Sequence, residues 1–140
     1  MTQAVCINLP VADLEKSKAF YSAIGFTNEP DFTDDTAAGM KLTDAIIVML
    51  LTHEKWKSFT SKTIPDAKES AQVMHALTRE NREAVDAMVD DAAKAGGTPD
   101  CNPVQEYGFM YGRSFEDPDG HVWECFWMDP KGPAAAGEAD

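Results

Sequence analysis

The run Val122-Trp123-Glu124-Cys125-Phe126-Trp127 sets one carboxylate in an otherwise apolar stretch. Side chains of a strand alternate between faces, so Val122, Glu124 and Phe126 share one side and Trp123, Cys125 and Trp127 the other. With both faces apolar, Glu124 is expected in covered surroundings, where an unpaired carboxylate is costly. Two readings follow. Glu124 is held by a structural partner, such as an arginine, a tyrosine or backbone amides. Alternatively it contacts a metal or substrate and serves as the catalytic acid–base group.

The segment Asp117-Pro118-Asp119-Gly120 just upstream suits a type I turn with Gly120 left-handed, forming a bulge. That register sets Asp117 against His121, Ser114 against Glu124 and Gly112 against Phe126. Gly108, Met110 and Gly112 then line the Glu124 face, and the glycines leave the open space a pocket needs. Phe109, Tyr111, Arg113 and Phe115 go to the opposite face with the tryptophans. A tight two-residue loop would shift the register by one and place Arg113 opposite Glu124 as an ion pair. The position of Gly120 favours the bulge. Met110, Gly112 and Phe126 are therefore candidate ligand-binding residues beside Glu124.

Near the N-terminus, Cys6 and Asn8 share a face of a short strand. Asn8 is a candidate to hold a ligand carbonyl or a water, or else satisfies neighbouring backbone. Cys6 reads as a small apolar residue. His53 follows a strand end and is either an acid–base group or an exposed cap; His75 points opposite Met74; His121 follows the turn and is expected to be exposed. Lys55, Lys57, Lys62 and Lys68 interleave with Trp56 and Phe59 in one stretch. That stretch could attract an anion or dock a subunit, or be a solvated helix with two core-facing aromatics. There is no G-x-S-x-G elbow, P-loop or G-x-G-x-x-G.

The elements that must position these residues come in a repeated order. A strand over residues 4–9 is ended by Pro10 or placed by it at an edge. Asp13 caps a helix carrying Leu14, Ser17, Tyr21 and Ile24, which Gly25 stops. Strands are expected over 26–32, 37–42 and 45–51, the last apolar on both faces. A short helix around Trp56 and a loop containing Pro65 follow. Residues 72–78 form a fifth strand, and Asn81 caps a second helix striped with Val85, Met88, Val89 and Ala92. Gly96-Gly97 ends it, ahead of weakly extended residues 99–106 and the hairpin 107–128.

Composition narrows the partners. A net charge of −12 repels phosphate backbones, so no nucleic-acid partner is expected. No apolar run is long enough for a membrane span, and no basic-then-apolar secretory leader opens the chain. Three scattered cysteines fit a reducing, cytoplasmic setting.

Two stretches carry a resemblance. The first is Leu9-Pro10-Val11-Ala12-Asp13-Leu14-Glu15-Lys16-Ser17-Lys18-Ala19-Phe20-Tyr21, ending at Ile24-Gly25-Phe26. The second is Phe115-Glu116-Asp117-Pro118-Asp119-Gly120-His121-Val122-Trp123-Glu124. They are similar to the V-x-D-L-x-x-S-x-x-F-Y opening and the DPDG-x-x-x-E hairpin of the vicinal oxygen chelate superfamily. That group holds glyoxalase I, bleomycin-resistance proteins and ring-cleaving dioxygenases; the chain most resembles a bacterial subgroup labelled predicted lactoylglutathione lyase. The resemblance implies an α+β fold of two βαβββ modules, about 1–52 and 72–128, joined by 53–71 and forming a cupped mixed sheet around a cleft; the composition of 129–140 marks it as a flexible tail. It implies a homodimer and a small-molecule ligand in the cleft.

It also implies four metal-ligand positions, which fall here on Cys6, Met49, Met74 (or His75, one residue on) and Glu124. A hard or borderline divalent ion wants imidazole and carboxylate, and thioethers serve it poorly. Only Glu124 is a usual ligand, so a tight nickel, zinc or iron site is not expected. Met49, Met74 and Asn8 enter instead as ligand-binding candidates. Three functions stay open: a divalent-metal lyase, isomerase or dioxygenase; a metal-free binder that sequesters its ligand; and a repurposed scaffold.

Overall fold

The computed structural model describes residues 3–133. The chain divides into two compact units, Met1–Ser70 and Ala71–Asp140. The class is α+β, and each unit builds its own mixed sheet with the same strand connectivity.

The first unit runs β1 (Val5–Val11), α1 (Leu14–Ala23), β2 (Thr27–Glu29), β3 (Ala37–Thr43), β4 (Ile46–Thr52) and α2 (His53–Phe59). Its sheet order is β1-β4-β3-β2, with β1 parallel to β4 and the other pairs antiparallel. Helix α1 starts where the Asp13 carboxylate accepts the Lys16 N–H at 3.1 Å. Its buried stripe is Leu14, Ser17, Phe20 and Tyr21, and Tyr21 meets Phe26 edge-on at 5.3 Å. Gly25, at φ +110°, turns the chain out of the helix. Pro10 does not end the first strand. β1 continues to Val11, because an edge strand tolerates the missing N–H. The strand expected over 26–32 is shorter, since Pro30 opens a 3-10 turn over Pro30–Phe32.

The second unit runs β5 (Met74–Thr78), α3 (Arg82–Lys94), β6 (Thr98–Pro99), β7 (Gln105–Glu106), β8 (Met110–Glu116) and β9 (Val122–Met128). The order is β5-β9-β8-β6, with β7 also on β8. The Asn81 side-chain oxygen caps α3 by accepting the Ala84 N–H at 2.8 Å. Val85, Met88, Val89 and Ala92 form the buried stripe of α3, which packs on β8 and β9. Beneath it, Phe115 and Trp123 are fully buried and stacked at 6.5 Å. Truncating Trp123 to alanine would cost about 3–5 kcal/mol. The weakly extended stretch expected over 99–106 resolves into two-residue strands flanking an irregular loop, and the fifth strand starts at Met74 rather than at residue 72.

Of the tail expected over 129–140, Asp129 and Gly132 close a turn, the Gly132 N–H reaching the Asp129 carbonyl at 2.7 Å. The rest of that segment, from residue 134, lies outside the described residues. Among the described residues no helix is long and apolar enough to cross a membrane.

Candidate functional site

The β8–β9 turn sets everything that follows. The Asp117 N–H donates to the His121 carbonyl and the Gly120 N–H to the Asp117 carbonyl, both at 3.0 Å. The Asp117 carboxylate also accepts the N–H groups of Asp119 and His121, at 3.0 and 2.9 Å. Gly120 sits at φ +101°, as a type I turn closed by a bulge requires. The ladder that results pairs Ser114 with Glu124, Gly112 with Phe126 and Met110 with Met128. β5 adds Ala76 beside Glu124 and Thr78 beside Phe126, and β7 adds Gln105 beside Gly112.

On the side of the sheet away from α3, most of these residues bound a cavity of about 210 Å³, its lining residues all in the second unit. Its walls include Glu124, Phe126, Met110, Gly112, Gln105 and Pro103. Gly112 sits close beneath: a Cβ built there would lie 3.5 Å from that of Phe126. Glu124 is half-buried and makes no hydrogen bond or ion pair among the described residues. Its carboxylate is therefore available to a ligand.

Arg113 takes the other direction. Its Nε and Nη2 donate to the two Asp100 carboxylate oxygens, each at 2.9 Å, and Nη1 donates to Asp86 at 2.9 Å and Asp90 at 3.4 Å. The Tyr111 hydroxyl donates to the same Asp86 oxygen at 2.6 Å. The Arg113 guanidinium holds the Asp100 carboxyl below its usual range. The Tyr111 hydroxyl, followed by Arg113, does the same for Asp86. The alternative ion pair of Arg113 with Glu124 does not form, because the bulge puts the two side chains on opposite faces.

The loop that carries Pro103 is pinned from β8. Ser114, only 2% exposed, accepts the Asn102 N–H on its hydroxyl at 2.8 Å, and its carbonyl accepts the Asp100 N–H at 2.7 Å. Asp100 lies at φ +53°, a left-handed conformation costing about 1–3 kcal/mol in a non-glycine residue. The bidentate grip of Arg113 helps hold it there. Pro103, Gln105 and Ala76 were not foreseen as site residues: the ladder registers bring in Ala76 and Gln105, and Pro103 comes with the loop between β6 and β7.

The other sequence candidates are distributed as follows. Asn8, Met49 and Gly39 form one cross-strand row of the first unit's sheet; Asn8 is exposed rather than buried. Cys6, also exposed, pairs with Ile47. Met74 shares the Glu124 face but stands two residues before Ala76; it is 56% exposed, with its sulfur 3.5 Å from the Asn102 amide nitrogen. Gly108 sits in the loop before β8 at φ +76° instead of on the strand face expected for it. His75 lies on the opposite face, its ring 4.8 Å from that of Trp123, and burial lowers its pKa. His121 is half-buried rather than exposed, and His53 is an exposed first residue of α2. Burial pushes the Cys125 thiol up to about 12, which removes it as a nucleophile at neutral pH.

A divalent ion at Glu124 would need further nitrogen or oxygen donors close by. The adjacent β5 position is Ala76, the one across β8 is Ser114, whose hydroxyl is engaged by Asn102, and His75 is on the far face. No group of three His, Cys, Asp or Glu suited to a metal occurs among the described residues. Within the second unit, the donor set around Glu124 does not fit a glyoxalase-type ion.

A family model described as the Glyoxalase/Bleomycin resistance protein/Dioxygenase superfamily matches residues 3–125, and the chain belongs to that superfamily. Among solved structures it is similar to the hypothetical protein SA1046 from S. aureus: 28% identity over 91% of this chain and 95% of that one, TM-score 0.75. A glyoxalase/bleomycin resistance protein/dioxygenase family enzyme from Burkholderia phytofirmans PsJN shares 21% identity over 91% and 99%, TM-score 0.73. The fosfomycin resistance protein FosX from Mesorhizobium loti shares the fold at 13% identity over 94% and 96%, TM-score 0.66. No curated protein matches the chain.

Proposed function

We propose that this protein is a small-molecule binder of the superfamily whose site is the cavity around Glu124, and that it works without a bound metal ion. The observation that carries this is a carboxylate with no partner among the described residues, on the wall of a largely apolar cavity. A structural carboxylate in such surroundings is normally paired; one left unpaired is a mark of function. Sequestration of a ligand, as in resistance proteins, fits better than the lactoylglutathione lyase chemistry implied by the resemblance, since that lyase needs ligands which Ala76 and Ser114 do not supply.

The setting we propose is cytoplasmic, in keeping with three free thiols. The assembly is a homodimer, supported by the exposed apolar residues Val73, Met74, Val104 and Tyr107. Sedimentation at micromolar concentration should give twice the 15.3 kDa chain mass; the chain mass alone would remove the dimer.

The site itself is tested with a ligand-observed NMR screen of a fragment library against EDTA-treated protein, with Gly112→Val as control. A Cβ at Gly112 meets only ordinary contacts, so the variant folds while its branches fill the cavity. Hits should appear with wild type and vanish with the variant. Hits that survive Gly112→Val, or that arise only when a divalent ion is added, would overturn the proposal.

A further inference from the structure

On the basis of that proposed site, we infer that its ligand is an organic cation: a protonated or quaternary amine carried on a flat apolar body. Among the described residues that line the cavity, Glu124 is the one whose charge is left for a ligand. Arg113 borders the same space, but its guanidinium is taken up by Asp86, Asp90 and Asp100 on the α3 side of β8. His75 packs against Trp123, also on that side. Among the described lining residues a ligand therefore meets a free carboxylate and no unpaired cation.

The remaining wall suits a cation's body. The Phe126 ring and the Met110 thioether share the Glu124 face. Aromatic faces attract ammonium groups, and the thioether is a polarisable packing surface. Gly112 leaves room for a flat group, and Gln105 brings an amide to one wall. The Ser114 hydroxyl is already used by Asn102, so it offers little to an anion. A carboxylate, phosphate or phosphonate ligand would have to be desolvated beside Glu124, uncompensated, in a chain of net charge −12; like charges so placed disfavour binding.

The test uses three probes of one shape: phenethylammonium, 2-phenylethanol and phenylacetate. Each is titrated at low salt, with EDTA, into isotope-labelled wild type and Glu124→Gln, and the amide shifts of Gly112, Ser114 and Phe126 are followed. Phenethylammonium should bind about tenfold or more tighter than phenylacetate and lose about tenfold in Glu124→Gln, with 2-phenylethanol indifferent to the substitution. Phenylacetate binding as tightly as the cation, or a cation affinity unchanged by Glu124→Gln, overturns the inference. If the neutral or anionic probe alone shifts these amides saturably, the site stands and its preference for cations falls. If none of the three does, both fall.

Discussion

Ser114 and Glu124 stand directly opposite each other on β8 and β9, while Arg113, one residue before Ser114, turns into three carboxylates on the other face. The relationship divides this hairpin into a supporting side and an open side. Among the described residues no cation pairs with Glu124, and its removal should cost the fold little.

Glu124→Gln should leave the thermal midpoint unchanged or raised at pH 7, since no hydrogen bond or ion pair is lost. Arg113→Met should destabilise by about 1–3 kcal/mol, because three aspartates lose their shared cation; their exposure to water keeps the figure at the low end for a buried network. The two substitutions should add within about 0.5 kcal/mol in the double mutant, as independent sites do. A double mutant that recovers the Arg113 loss would mean the two side chains are coupled after all.

Acid should weaken the protein in two separate steps. His75 has a folded pKa lowered from 6.5, first by burial and then by the charge of His121. Its contribution to stability is present above 6.5 and is lost as pH falls from there through its folded value. Asp86 and Asp100 are lowered from 3.8, so their contribution is present above 3.8 and is lost below it. Urea midpoints across this range should show both steps. His75→Phe should flatten the first and Arg113→Met should shrink the second; identical profiles in all three proteins would count against this assignment.

Ser114→Ala should destabilise by about 1 kcal/mol by leaving the half-buried Asn102 N–H without its acceptor. It should also loosen the loop carrying Pro103. Hydrogen exchange is the sensitive readout: the Asn102 amide should lose protection while amides of α3 keep theirs. Unchanged protection at Asn102 would show that the loop is held by other contacts.

What could be read from the sequence was what short-range chemistry decides. Asp13 and Asn81 are capping residues within three positions of the N–H groups they accept, and both helix starts were legible. Asp117-Pro118-Asp119-Gly120 is a turn with its glycine in place, so the β8–β9 register and the outward direction of Arg113 followed from it. Longer-range features were not legible. The parallel ladder of β5 on β9 has no connecting turn to fix it, so nothing local revealed that Ala76, not Met74, stands beside Glu124. The aspartates that take up Arg113 lie on α3 and just after β6, and Asp100 adopts a left-handed conformation that its residue type does not announce. β6 and β7 are two residues each, too short for any periodicity. The Glu124 face was thus foreseen on the hairpin and missed where distant segments complete it.

The most direct test of the central claim locates the ligand. Isotope-labelled wild type is titrated with the hits of the EDTA screen, and amide shifts are mapped along the whole chain. The site proposed at Glu124 requires the largest saturable shifts at Gly112, Ser114, Glu124 and Phe126, weakened in Glu124→Gln. Shifts centred on the first sheet, on β1 and β4, or undiminished by the substitution, would contradict it.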